Sequence, residues 1–287
     1  MTRAALQEHL KTGSTTLCRA WQVQRRDGVT LGFTDHDCDL MFDGVTFVAR
    51  SGLTAGMLDM TTGLAVDNTE VSGALTAEAI SEQDILAGRY DGAEVTTFLV
   101  NWADVSARTI LMRGTFGELT RSEGAFRVEL RSLTERLNVR TGRIYHAACG
   151  AVLGDAACKM DLSTPQMSVS APIAKIIDGR RLVFSGLGSF AEGWFADGQV
   201  RILSGVGHGQ VGRVKADALD AEGRVLDLWH AFGVVPAPQD QVLIVAGCDK
   251  RMSTCKAKFD NFLNFRGFPH IPGEDWMRSS PSRSRRR

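Results

Sequence analysis

Five Asp-Gly dipeptides punctuate the chain, at Asp27-Gly28, Asp43-Gly44, Asp91-Gly92, Asp178-Gly179 and Asp197-Gly198. Asp-Gly between apolar runs is a strong hairpin signal, because a two-residue type I′ turn needs positive φ at both central positions. The clearest cases are Leu40-Met41-Phe42 before and Val45 to Val48 after Asp43-Gly44, and Ala174 to Ile177 before and Arg180 to Phe184 after Asp178-Gly179. Short β-rich runs at Val71 to Leu75, Glu94 to Val100, Thr109 to Arg113, Phe126 to Leu130, Val200 to Leu203, Arg224 to Leu228 and Gln241 to Val245 predict further strands. Helices are few: Ala4 to Lys11 before Gly13, Glu82 to Ala87 capped by Ser81, and a segment after Cys248 capped by Ser253 or Thr254. The expected fold is mostly β, with two small barrel- or sandwich-like units and few short helices.

A chain of 287 residues accommodates two domains. The expected divisions are a β-rich domain over residues 1–165, a second over 166–247, and a C-terminal segment over 248–287. The latter ends in the Arg-rich run Arg283 to Arg287, expected to be a disordered tail. Basic and acidic side chains balance at 33 each, which argues against sequence-specific nucleic-acid binding. No apolar h-region follows Met1, and no run approaches the roughly 18 apolar residues that span a bilayer. A soluble protein made in the cytoplasm, without membrane insertion, is expected.

In that compartment six cysteines point to buried thiols, metal ligands or catalytic groups rather than a disulfide framework. Cys18, in the first strand, reads as a small buried apolar residue. Cys149 and Cys158 flank one loop, and Cys248 and Cys255 another, with eight and six intervening residues. Neither spacing is a usual zinc or ferredoxin motif, so four unrelated thiols stand beside a four-thiolate zinc or iron–sulfur site. Lys159, Lys250, Arg251, Lys256 and Lys258 crowd these cysteines, and cations lower thiol pKa. Placing Cys255 in a first helical turn would favour its thiolate too. His146, three residues before Cys149, is a candidate replacement ligand. The segment Asp35-His36-Asp37-Cys38-Asp39 offers a competing metal-dependent hydrolase site. Strand alternation would put its three aspartates on one face and His36 on the other, so three solvated carboxylates are the simpler reading. Ser204 to Gly209 lacks the Gly-Lys-Ser/Thr ending of a phosphate loop and reads as turns.

Five stretches stand out: Leu31 to Asp37, Asp43 to Phe47, Arg131 to Asn138, Cys248-Asp249-Lys250-Arg251 with Cys255, and Asn264 to Gly273. Together they resemble the tail hub proteins of gene transfer agents and related siphophages. More distantly, the chain resembles the iron–sulfur-carrying minor tail protein L of phage lambda. The resemblance implies a structural, non-enzymatic hub at the tail tip of a phage-like particle assembled in the bacterial cytoplasm. It implies a homotrimer between the distal tail ring and the tip or fibre protein, with the tape measure and tail peptidase as further neighbours. It also implies a 4Fe–4S cluster on Cys149, Cys158, Cys248 and Cys255, with zinc a substitute in protein made in air. Cys18 and Cys38 fall outside that set. The alternative is an iron–sulfur or zinc enzyme, either a hydrolase or a redox protein.

Overall fold

The computed structural model describes residues 2–49, 54–55, 68–74, 81–122, 125–132 and 142–271. The Arg283 to Arg287 run, Pro272-Gly273, Leu133 to Asn138 and Leu75 lie outside the described residues. The chain divides into two compact units, residues 1–140 and 141–287. The structure is mostly β, with few short helices.

The first unit opens with α1 (Thr2–Leu10). It continues through β1 (Leu17–Gln24), β2 (Thr30–Thr34), β3 (Leu40–Phe42), β4 (Val45–Val48), β5 (Thr54–Ala55) and β6 (Asn68–Ala74). After α2 (Glu82–Leu86) come β7 (Glu94–Asn101), β8 (Arg108–Ser122) and β9 (Ala125–Ser132). Among the described residues they form one sheet in the order β3-β4-β2-β1-β7-β8-β9-β6-β5. Alternation along a strand sends successive side chains to opposite faces. Strand β1 uses this to supply two cores. Cys18 and Ala20 pack with Phe42, Phe47 and Phe98, while Trp21 and Val23 pack with Phe33, Tyr90 and Val95.

The two clearest Asp-Gly hairpins form as the sequence predicts. Asp43 and Gly44 have φ of 51° and 74°, and Asp178 and Gly179 have 52° and 63°, the paired positive values of a type I′ turn. The dipeptide at Asp27-Gly28 works differently. Gly28 alone has positive φ there, its N–H donates to Arg25, and Arg25 N–H donates to Val29, the pattern of a longer loop closed by a glycine bulge. Gly44→Ala forces an L residue into left-handed backbone and should cost the first unit about 1–2 kcal/mol. Gly44→Asn should cost less, since asparagine tolerates that region. Urea unfolding of the full chain, read by exchange of the β3 and β4 amides, checks the ranking.

The second unit runs β10 (Ser168–Pro172), β11 (Lys175–Ile177), β12 (Arg181–Phe184), β13 (Gln199–Ile202), β14 (Val211–Asp220), β15 (Gly223–Leu228) and β16 (Gln241–Val245). Helix α3 (Met252–Ala257) and a 3₁₀ turn at Phe262–Asn264 follow. The sheet order is β10-β16-β13-β14-β15-β12-β11. Its inward row buries Leu182, Phe184, Val200, Ile202, Leu226, Leu228, Val242 and Ile244 completely. Arg224 stands in the same inward row of β15 as Leu226 and Leu228. Its Nη1 lies 2.9 Å from Asp217 Oδ2, with both side chains fully buried. Phe195 N–H donates to the same carboxylate oxygen at 2.8 Å. Arg224 Nη2 donates to the Phe190 and Ala191 carbonyls at 2.5 and 3.2 Å. Burial pushes the Asp217 carboxyl above its ordinary range, against the opposing pull of the Phe195 N–H and of Arg224.

Two local expectations are corrected. Helix α3 is capped by Arg251, with no side-chain cap bond. Thr254 Oγ1 turns instead to Asp249 Oδ2 at 2.8 Å. Residues 35–38 form a bend rather than a strand, so strand alternation does not govern them. The glycine-rich stretch does consist of turns over residues 204–209.

Candidate functional site

Strands β10 and β16 pair antiparallel, with Ser168 opposite Val245. The chain therefore enters and leaves this sheet side by side. That juxtaposition gathers the segment before β10, carrying Cys149 and Cys158, against the segment after β16, carrying Cys248 and Cys255. All four line one partly open cavity, with Lys250, Arg251, Asn261, Asn264, Ala151, Leu153 and Phe259. Beneath it Met167, Ala246 and Phe259 form a small core with Leu153, Met160 and Leu162.

Each loop is shaped by an aspartate. Asp155 accepts from Ala157 and Cys158 N–H at 2.9 and 2.6 Å through one oxygen and from Val152 N–H at 2.9 Å through the other. These bonds, that from Cys158 foremost, hold its carboxyl below the usual range. Asp249 accepts from Arg251 N–H at 3.0 Å. The loops are also tied directly: Cys149 N–H donates to the Lys250 carbonyl at 2.9 Å, and Lys250 Nζ to the Ala151 carbonyl at 2.6 Å. Gly267 is forced by close packing, since a Cβ there would meet the Ala148 and Ala147 carbonyls at 2.6 and 2.7 Å. Lys159, Lys250 and Asp260 all adopt positive φ. For L residues such backbone is costly and gathers where a site needs a particular chain path.

The thiols have their own donors. Arg266 N–H donates to Cys149 Sγ at 3.3 Å, and Asn261 Nδ2 lies 3.5 Å from Cys158 Sγ. Cys255 Sγ donates to the Asn261 carbonyl at 3.4 Å. All six cysteines are free thiols. Burial, then the charges of Cys149, Cys248 and Cys158, push the Cys255 thiol up. This corrects the expectation of a helix-start thiolate: Cys255 N–H is spent on the Arg251 carbonyl at 3.0 Å, so it offers the sulfur nothing. Of the five cations, Lys250 and Arg251 line the cavity with the sulfurs, and Lys258 feels the charge of Cys248. Lys159 and Lys256 are exposed. Lys258 donates to the Trp194 and Gly247 carbonyls at 2.5 and 2.8 Å and lies over the Trp194 ring at 4.5 Å.

Chemically, the lining offers four thiols, two amides and two cations, with no histidine or carboxylate. It can hold a thiolate-ligated group and is poorly equipped for proton transfer. Among the described residues, no three or more His, Cys, Asp or Glu side chains close around a single ion position. The donor set, four thiols without histidine or carboxylate, suits a thiolate-ligated iron–sulfur group or a tetrahedral zinc. His146 is exposed and absent from the lining.

The other cysteines lie elsewhere. Cys18 is buried in the first unit, where burial raises its thiol to about 11, and Cys38 is exposed. Around Cys38 the proposed hydrolase ligands are separately engaged. Asp35 accepts from Arg19 N–H at 2.6 Å, Asp39 from Ala49 N–H at 2.9 Å, and His36 stacks on Trp102 at 5.0 Å. Asn261 and Asn264 escaped the sequence reading as site residues; the signals were proximity to Cys255 in a polar-aromatic segment and, for Asn264, its place at the start of the Asn264 to Gly273 motif.

Comparisons with known proteins agree with this architecture. The profile described as "Baseplate hub protein, N-terminal attachment domain" matches residues 3–161. A second, described as "Phage conserved hypothetical protein BR0599", matches residues 193–275. No curated protein matches the chain. A solved chain from the virion of a native gene transfer agent particle is 51% identical with a TM-score of 0.90, the match covering 97% of this chain and 96% of that one. No helix among the described residues is long and apolar enough to cross a membrane. With one profile spanning more than half its length and a full-length structural relative at this identity, the chain belongs to the baseplate hub family, a structural component of phage tails.

Proposed function

We propose that this chain is the hub subunit at the tail tip of a gene transfer agent or similar phage-like particle. Three copies link the distal tail ring to the tip or fibre protein, with the tape measure and tail peptidase as neighbours. A 4Fe–4S cluster on Cys149, Cys158, Cys248 and Cys255 clips each copy. The observation that carries the assembly role is the full-length likeness to a virion chain. The observation that favours the cluster is the gathering of four free thiols from two distant segments around one cavity. When bound, the group supplies a cross-link: it closes a chain loop of roughly ninety residues, and metal binding adds folding free energy outright. The chain's own residues shape the loops, through Asp155 and Asp249, and aim two N–H donors at sulfur.

Imaging of native particles tests the assembly, and six copies, or a position at the head end, would contradict it. Anaerobic purification with iron, sulfide and zinc analysis tests the cluster. Cys→Ser at any of the four positions should cut bound iron by at least about half and lower soluble yield, because a ligand and the loop closure are lost together. Cys18→Ser and Cys38→Ser should leave the visible absorption unchanged.

A further inference from the structure

Asn261 contacts a cysteine of each segment. Its backbone N–H donates to the Cys255 carbonyl at 3.1 Å, and its carbonyl accepts from Cys255 Sγ at 3.4 Å. Its side chain crosses to the other segment: Nδ2 donates to the Cys158 carbonyl at 2.7 Å and lies 3.5 Å from Cys158 Sγ. The amide's direction is set by Asn264, whose Nδ2 donates to Asn261 Oδ1 at 2.7 Å. Reversing the Asn261 amide would turn its oxygen onto the Cys158 carbonyl and sulfur. Asn264 thus works as an orienter and Asn261 as the oriented donor.

We infer that Asn261 is a positioning residue that holds Cys158 in its ligating place and tunes the reduction potential of the group bound there. The inference rests on the cluster reading above. A ligating sulfur is a thiolate, and an N–H aimed at it stabilises negative charge. Hydrogen bonds to cluster sulfurs are among the factors that set the potential, and outer partners of metal ligands fix their orientation. Arg266 N–H plays the equivalent part at Cys149, but a backbone donor cannot be removed by changing its side chain. Asn261 can be changed.

The test compares Asn261→Leu, Asn261→Asp and Asn264→Asp with the parent chain after anaerobic iron–sulfur reconstitution. Leucine removes the donor at similar volume. Aspartate at 261 keeps the acceptor for Asn264 and presents an oxygen to Cys158. Aspartate at 264 leaves Cys158 untouched but favours the reversed Asn261 amide. Each variant should make the one-electron reduction about tenfold less favourable, a fall of about 59 mV in midpoint potential. Loss of iron to a chelator should accelerate about tenfold, the lower end of such outer-partner effects. Potentials and loss rates equal to the parent's in all three variants would overturn the inference while leaving the cluster reading intact. A parent chain that takes up no iron and sulfide would overturn the cluster reading and this inference with it. Should Asn261→Leu fail to fold, Asn264→Asp carries the test, because a merely structural role would change the unfolding midpoint and not the potential.

Discussion

Arg224→Met should destabilise the second unit by about 3–5 kcal/mol at neutral pH, the usual cost of stranding the surviving partner of a buried ion pair. Methionine fills much of the volume, so the loss is mainly electrostatic. Asp217 keeps only the Phe195 N–H, and the Phe190 and Ala191 carbonyls lose their donor. The pH dependence follows from the sign. Burial already raises the Asp217 carboxyl in the native chain, so folded protein holds this proton more tightly than unfolded chain. Its contribution to stability is fully present below the unfolded pKa and declines as pH rises through the raised folded value. Removing Arg224 raises that value further. The gap between variant and parent should therefore narrow as pH falls and Asp217 becomes neutral. Asp217→Leu with Arg224→Met should lose less than Arg224→Met alone. Urea unfolding at two pH values, read by exchange of β12 to β16 amides, checks both statements; a gap that widens toward low pH would refute the assignment.

Gly247→Ala should cost about 3 kcal/mol or more, at or beyond the upper end of overpacking effects. The residue sits between the end of β16 and Cys248. A Cβ there would overlap the Ala196 backbone carbonyl, and backbone on both sides cannot yield as a side chain could. Gly247 N–H also donates to the Trp194 carbonyl at 3.0 Å, and its carbonyl receives Lys258 Nζ at 2.8 Å. Displacing it therefore moves Cys248 and the anchor of the C-terminal segment together. Gly188→Ala is the control: it has open space around it and no positive φ, and it should be close to neutral. Thermal unfolding of the two variants, with iron content after reconstitution, should separate them clearly.

The hairpins at Asp43-Gly44 and Asp178-Gly179 were legible because one dipeptide dictates both dihedrals of a turn and the flanking residues alternate. The strand runs at Glu94 and Gln241 were legible for the same local reason. What stayed hidden depends on partners distant in the chain. The ion pair of Asp217 and Arg224 depends on β14 and β15 placing both side chains inward, which neither strand's own pattern announces. The α3 cap was misread because Thr254, a good capping residue in isolation, finds a better partner in Asp249. The pairing of the cysteine loops was foreshadowed by their position on either side of one unit. The β10–β16 neighbour relation that gathers them is a matter of strand order, which spacing does not encode.

That strand order also decides how the second unit responds to tension. A pull applied through the segments that enter β10 and leave β16 acts on Ser168 and Val245, which lie opposite each other. Load at the same end of two antiparallel strands opens their hydrogen bonds one after another, as a zipper opens, instead of shearing many at once. The Phe268–His146, Gly150–Arg266 and Cys149–Lys250 backbone bonds and the Asn261–Cys158 contact stand on the loaded side of that zipper and must yield before the sheet does. In a single-molecule pull between residues 145 and 268 of cluster-free protein, the parent chain should therefore hold to higher force than Asn261→Leu and then give way along the sheet with little further resistance.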